Sequence, residues 1–163
     1  MSPTRIQTIS LNLIPQTRDQ ARARIADMPP QDRAQVSAAW LALLDNSKPI
    51  DPWIHGFVLA HRQTGNIIGT CGFKGPPGPD GAVEIAYAVN PEHQGNGYAT
   101  EAAGALVSYA FSHPEVRIVR AHTLPQPSAS TRVLTKCAFQ RIEDFIDPED
   151  GLVWRWERRG EMA

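Results

Sequence analysis

Apolar and polar positions alternate with period two over residues 83–89, where Val83, Ile85, Tyr87 and Val89 fall on one side and Glu84, Ala86 and Ala88 on the other. The period and the β-branched and aromatic content predict a strand. Asn90-Pro91 ends it, since proline donates nothing to a sheet ladder. The period then changes. Ala99, Ala102, Ala103, Leu106, Val107, Ala110 and Phe111 recur at helical spacing, predicting a helix that runs to about Ser112 before the breaker His113-Pro114. Between strand and helix lies Gln94-Gly95-Asn96-Gly97-Tyr98-Ala99-Thr100, a tight loop with two glycines.

The same patterning divides the rest of the chain. Residues 5–14 alternate imperfectly and predict a first strand at a sheet edge. Thr17 caps a helix through Ala21, Ile25 and Met28 that Pro29-Pro30 stops, and a second helix from Gln31-Asp32 carries Val36, Trp40, Leu43 and Leu44. Residues 46–52 read as a loop. Strands over 55–61 and 67–74 precede the one at 83–89, with an irregular Gly/Pro loop at 75–81. A strand over 116–123, a short helix from Ser128 or Ser130 through Cys137, and a hairpin of 139–146 with 152–157 around Pro148-Glu149-Asp150-Gly151 complete the order β-α-α-β-β-β-α-β-α-β-β. That order predicts an α/β (α+β) fold: one mixed, mostly antiparallel sheet of about seven strands with helices on both faces.

Length and composition suit one domain, residues 1–163 with a core of about 5–158; 42% of residues are hydrophobic and 20% charged. A net charge of −1 points away from nucleic acid and anionic membrane surfaces. The longest apolar run falls short of the ~20 residues of a membrane span, and the first ten residues lack an apolar signal core, so a cytoplasmic protein is expected. Cys71 and Cys137 stand far apart and read as reduced, buried thiols.

A strand, a glycine turn and a helix make an anion site. The first helical turn has N–H groups without intrahelical partners, and the dipole adds roughly half a positive charge. Glycines let a phosphate reach the backbone. No Lys or Arg lies between Ala82 and Arg117, so amides carry most of the grip. A P-loop would need a lysine that is absent. A dinucleotide turn would need a small residue where Thr100 stands and a carboxylate after the next strand, which instead ends Arg120-Ala121-His122. An ordinary strand-to-helix turn stays open at this point.

Gln94-Gly95-Asn96-Gly97-Tyr98-Ala99 resembles the Gln/Arg-x-x-Gly-x-Gly/Ala signature of the GNAT acyltransferases, and residues 125–139, PQPSASTRVLTKCAF, are similar to that family's P-E-N-x-x-S-x-x-V-L-x-K-x-G-F segment. The branch that acetylates ribosomal-protein N-termini is the best match. The resemblance implies a sheet whose strands at 83–89 and 116–123 splay to admit acetyl-CoA as co-substrate, without a metal. It implies pyrophosphate contacts from Gln94, Gly95, Asn96, Gly97, Tyr98, Ala99 and Thr100, with backbone groups of Ala88 and Val89 for the pantetheine amide and the oxyanion. Tyr98 could equally just pack.

Direct attack of an amine on a thioester needs a base, an oxyanion donor and no covalent nucleophile. Glu84 is the expected base, beside the small Ala86 and Ala88. Two departures stand out. Pro127 replaces a cofactor-contacting Asn, leaving Ser128 or Ser130 to substitute. Leu134 replaces a tyrosine acid, leaving water, Ser130 or nothing to protonate the thiolate. The implied activity is N-acetyl transfer to a primary amine; the alternative is an acyl-CoA-binding sensor or partner module without turnover. The acceptor, a small molecule or a peptide, stays open among N-terminal peptides, polyamines, antibiotics and metabolite amines, as does monomer against homodimer. The five histidines read as solvated or structural, His93 being the one beside the loop. Trp53 is the candidate to line the acceptor site and Trp40 to be core.

Overall fold

The computed structural model describes residues 5–160 apart from Gln35, Ser37 and Glu149. Eight strands form one sheet in the order β1-β2-β3-β4-β5-β6-β8-β7. They are β1 (Ile6–Gln7), β2 (Leu11–Pro15), β3 (Phe57–His61), β4 (Ile67–Phe73), β5 (Ala82–Val89), β6 (Ile118–Thr123), β7 (Gln140–Asp147) and β8 (Gly151–Arg159). The helices are α1 (Arg18–Ala26), α2 (Pro30–Arg33), α3 (Ala38–Asp45), α4 (Pro52–His55), α5 (Tyr98–Phe111) and α6 (Ala129–Lys136). All strand pairs are antiparallel except β5 with β6. No helix among the described residues is long and apolar enough to cross a membrane.

The alternation along β5 sorts the two layers. Val83 and Ile85 are buried in a core with Ala102, Leu106 and Ala110 of α5, Leu134 of α6, and Phe57, Leu59, Val119 and Trp156 of neighbouring strands. Ala86 and Ala88 face the opposite way, toward a smaller cluster of Ala21, Leu44 and Ile54 from α1, α3 and α4. Trp53 is not at an open site: it stands edge-on to Phe73, Tyr109 and His113.

Three elements differ from the expectations. The single strand at 5–14 is a hairpin, β1 and β2, because Glu101 of α5 accepts from Thr8 Oγ1 (2.6 Å) and Ser10 N–H (2.9 Å) and folds the chain at Thr8–Ser10; hydrophobic Ile9 rides the turn, 90% exposed, and disguises it. The second helix is two, α2 and α3; Gln35 and Ser37 of that expected helix lie outside the described residues. Residues 52–55 form α4 because Asp51 accepts from Trp53 N–H (3.2 Å) and Pro52 occupies the first turn, so β3 starts only at Phe57. The predicted β7–β8 hairpin is present, with Glu149 of its turn outside the described residues.

Glu101 is half-buried. Burial works against its charge, but the hydrogen bonds from Thr8 and Ser10, aided by His61, win, and its pKa lies below the ordinary carboxylate value. The folded protein thus binds fewer protons here than the unfolded chain. The stability from this contact is complete above the unfolded carboxylate pKa, about 4.3, and fades as pH falls through the lowered folded value. Glu101→Gln should therefore cost about 1–2 kcal/mol in urea unfolding at pH 7, and the gap to the parent protein should close on acidification.

Candidate functional site

The β5–β6 ladder contains only Ala82↔Ile118, Val83↔Val119 and Glu84↔Arg120. Beyond Glu84 the strands part, while each keeps its other neighbour: β5 pairs β4 up to Val89, and β6 pairs β8 up to Thr123. Lys74 N–H donates to Glu84 O and Asn90 N–H to Ile68 O, so even-numbered residues of β5 are the ones bonded to β4. By the antiparallel alternation, Val89 N–H and Tyr87 N–H face the gap, whereas Ala88 N–H faces β4.

A cleft of about 480 Å³ lies on the α5–α6 side of the gap. Of the predicted cofactor residues it gathers Ala88, Val89, Gln94, Gly95, Gly97, Tyr98, Ala99 and Thr100, together with the predicted catalytic Ser130. Gly95 and Gly97 have φ of 83° and 81°, a region that penalises a side chain, and a Cβ at either would meet nothing within 4 Å. The loop thus needs glycine for its conformation and leaves open space above itself. Gly97 is the N-cap of α5 and supplies no side-chain cap to the first-turn amides, and Tyr98, Ala99 and Thr100 of that turn line the cleft. Gln94 Nε2 donates to Val89 O (3.0 Å) and ties the loop to the strand end.

Asn96 and Ser128 do not line the cleft. Asn96 Nδ2 donates to His93 O (3.1 Å), shaping the loop from within. Ser128 caps α6: its Oγ accepts from Thr131 N–H (3.3 Å) and its N–H donates to Thr131 Oγ1 (2.9 Å).

The structure adds residues that the pattern did not single out. Arg132 and Lys136, four apart on α6, line the cleft, so cationic side chains do reach the anion site, from a different segment than the glycine loop. Tyr87 lies on the gap as well, its Oη 3.1 Å from Ser130 Oγ, and burial raises the tyrosine pKa against the opposing hydrogen bond. Only the i, i+4 spacing on the helix that follows the next strand hinted at Arg132 and Lys136; nothing in sequence pairs Tyr87 with Ser130.

Glu84 lines neither side of the cleft. Its Oε2 takes both Lys74 Nζ (2.9 Å) and His122 Nδ1 (2.9 Å). Arg155 Nε donates to His122 Nε2 (3.0 Å), which requires a lone pair there and puts the ring proton on Nδ1, donated to Glu84. Arg155 also meets Glu143 (3.3 Å) and lies 3.8 Å over the Phe145 ring, on which His122 stacks. Burial opposes the charge of Lys74, but the pairing with Glu84, with Asp150 and Asp147 near, raises its pKa. Oε1 of Glu84 has no partner among the described residues.

A second cleft, about 230 Å³, opens on the opposite face of β5 and is lined by Arg24, Trp40, Ile54, His55, Ala86 and Ala88, among others. Trp40 packs against the cluster of Ala21, Leu44 and Ile54, as expected of a core residue, and is also part of this wall. Tyr87 and Ala88 line both clefts, so the two meet at the parted end of β5. Among the described residues no group of three or more His, Cys, Asp or Glu converges to hold a metal ion.

A strand that peels from its neighbour above a glycine-lined helix N-terminus makes an open, mostly antiparallel α/β sheet with an anion-suited cleft at its parting. The chain matches the description "Acetyltransferase (GNAT) domain" over residues 3–140 and belongs to that family. It is 29% identical over 96 residues to the "Uncharacterized N-acetyltransferase p20" of Bacillus licheniformis, covering 59% of this chain and 54% of that protein; the chain spans about half the length of the curated relatives it matches first. In fold it is similar to a GNAT-family acetyltransferase from Bacillus anthracis (TM-score 0.69, 17% identity, 96% and 98% of the two chains). It is also similar to ribosomal-protein-S5-alanine acetyltransferase from Vibrio fischeri (TM-score 0.67, 14% identity, 96% and 97%).

Neither cysteine is placed as a nucleophile. Burial raises the pKa of Cys71 strongly and that of Cys137 despite nearby Arg158. In the native protein both thiols should react with Ellman's reagent at least tenfold more slowly than in urea-unfolded chain; fast native reaction of either would contradict this burial.

Proposed function

We propose that the protein is an N-acetyltransferase that binds acetyl-CoA in the gap between β5 and β6 and passes the acetyl group to a primary amine by direct attack. The meeting of the two clefts at Tyr87–Ala88 carries this reading: a thioester held from one side can be reached by an amine from the other.

The diphosphate sits on the amides of Gly95–Thr100, with Arg132 and Lys136 supplying positive charge from α6. The pantetheine arm continues the ladder that β6 abandons, and Val89 N–H donates to the oxyanion. Glu84 lines neither cleft, so the amine's proton passes through water to its free Oε1, while Lys74 and His122 hold Oε2 and fix the carboxylate. The nitrogen bonds to the acetyl carbon and the C–S bond breaks. Ser130, backed by Tyr87, is the hydroxyl at hand to protonate the sulfur where Leu134 cannot. The Leu134 substitution favours a second reading, an acyl-CoA-binding module without turnover.

Thiol release and product mass with acetyl-CoA over an amine panel separate the two readings. Saturable coenzyme A binding with no acetylated amine would remove the transferase. Where turnover is found, Glu84→Gln should lower kcat/KM by about 100-fold or more; an unchanged rate would remove Glu84 as base. R132A/K136A should weaken coenzyme A binding by about tenfold (~1.4 kcal/mol) and reduce its salt dependence.

A further inference from the structure

The cleft opposite the gap contains one charged group without a counter-charge. Helix α1 bears three arginines. Arg18 donates to Ser47 O (2.9 Å), and Arg22 pairs with Asp45 (3.1 Å). Arg24 has neither a hydrogen bond nor an ion pair among the described residues, although it is half-buried and burial lowers its pKa. A guanidinium drawn out of water with nothing to pair it is a standing electrostatic cost, which an arriving anion would relieve.

The rest of the wall narrows the chemistry. Among the described residues no Asp or Glu lines this cleft. His55 is fully committed: its Nδ1 accepts from Asp51 N–H (3.0 Å) and its Nε2 meets Ser47 Oγ (2.7 Å), a hydroxyl that donates onward to Leu44 O (2.7 Å). Trp40 and Ile54 supply apolar surface, and Ala86 and Ala88 form the floor toward the gap. A volume of about 230 Å³ suits a molecule of amino-acid size. A polycationic amine would meet Arg24 with like charge.

We propose that the acceptor is a small amine that also carries a carboxylate, a free amino acid, and that Arg24 receives the carboxylate while the amine points to Ala88 and the thioester. The assignment rests on the transferase reading above and deepens it. Guanidinium binds a carboxylate through two parallel N–H···O bonds, which would fix the amine's direction as well as its presence. Of the two protons the ammonium loses, one goes to Glu84 and on to solvent, and the other ends on the sulfur as the C–N bond forms and the C–S bond breaks.

The test uses the full chain, acetyl-CoA and matched amines: L-leucine, L-leucinamide and isoamylamine, with L-alanine, O-phosphoethanolamine and spermidine. Thiol release gives kcat/KM, and calorimetry on coenzyme A-saturated protein gives binding. The free amino acids should exceed the amide and the decarboxylated amine by tenfold or more. R24Q should bring that ratio close to one while the thermal shift on coenzyme A binding is retained, and R24K should keep part of the preference. Equal use of leucine and isoamylamine, a preference for spermidine or O-phosphoethanolamine, or a preference that survives R24Q would overturn the proposal and leave the transferase standing. If no amine is acetylated, Arg24-dependent binding of leucine upholds the carboxylate site and removes the transferase; absence of both turnover and binding overturns the carboxylate site.

Discussion

The parting of β5 from β6 is the constraint on which the site depends. A parallel pair joined through only three residue pairs leaves the far ends of two strands without each other's hydrogen bonds. Exposed main-chain donors and acceptors in a half-buried gap are costly unless something else pairs with them. Val89 N–H and Tyr87 N–H are two such donors, and a ligand with amide groups of its own is the chemical complement to such an edge. The gap is therefore a deficit built into the sheet.

Everything nearby keeps that deficit open yet ordered. Gln94 ties the glycine loop to the end of β5, Ser128 and Thr131 cap α6, and Tyr87 reaches Ser130 across the opening. The two strands are separately anchored by β4 and β8, so neither can swing over to close the ladder. On the opposite face the chain of Lys74, Glu84, His122, Arg155 and Glu143 stitches four strands together just where the β5–β6 ladder ends. Ion pairs at such half-buried positions contribute modestly one by one, but a linked series fixes the carboxylate at its centre.

Much of this was legible in the chain. Period two over 83–89, a glycine turn and period 3.6 over the following helix locate the strand, loop and helix almost to the residue, because hydrophobic periodicity reports local geometry. The glycines were legible for the same reason: a backbone at φ near 80° leaves a compositional mark. What stayed hidden depends on contacts distant in sequence. Glu101 makes a hairpin of residues 93 and 91 positions earlier, and a turn carrying Ile9 looks like strand. Trp40 packs against the smaller cluster and also borders a cleft, whereas Trp53 packs against both clusters; both have apolar neighbours in sequence, and only tertiary packing decides which one borders a cleft. Arg132 and Lys136 reach the glycine loop across a fold, and the unpaired state of Arg24 shows only once Arg18 and Arg22 are seen to have partners.

The glycine loop offers its first-turn amides, and an amide is the one hydrogen-bond donor that nearly every amino acid possesses. A grip of that kind is indifferent to most mutations, since replacing Tyr98 or Ala99 alters a side chain and leaves the N–H in place. The walls of the opposite cleft have no such insurance, because Arg24 and Trp40 present side chains there. Sequence change is thus better tolerated in the glycine loop than in the walls of the opposite cleft.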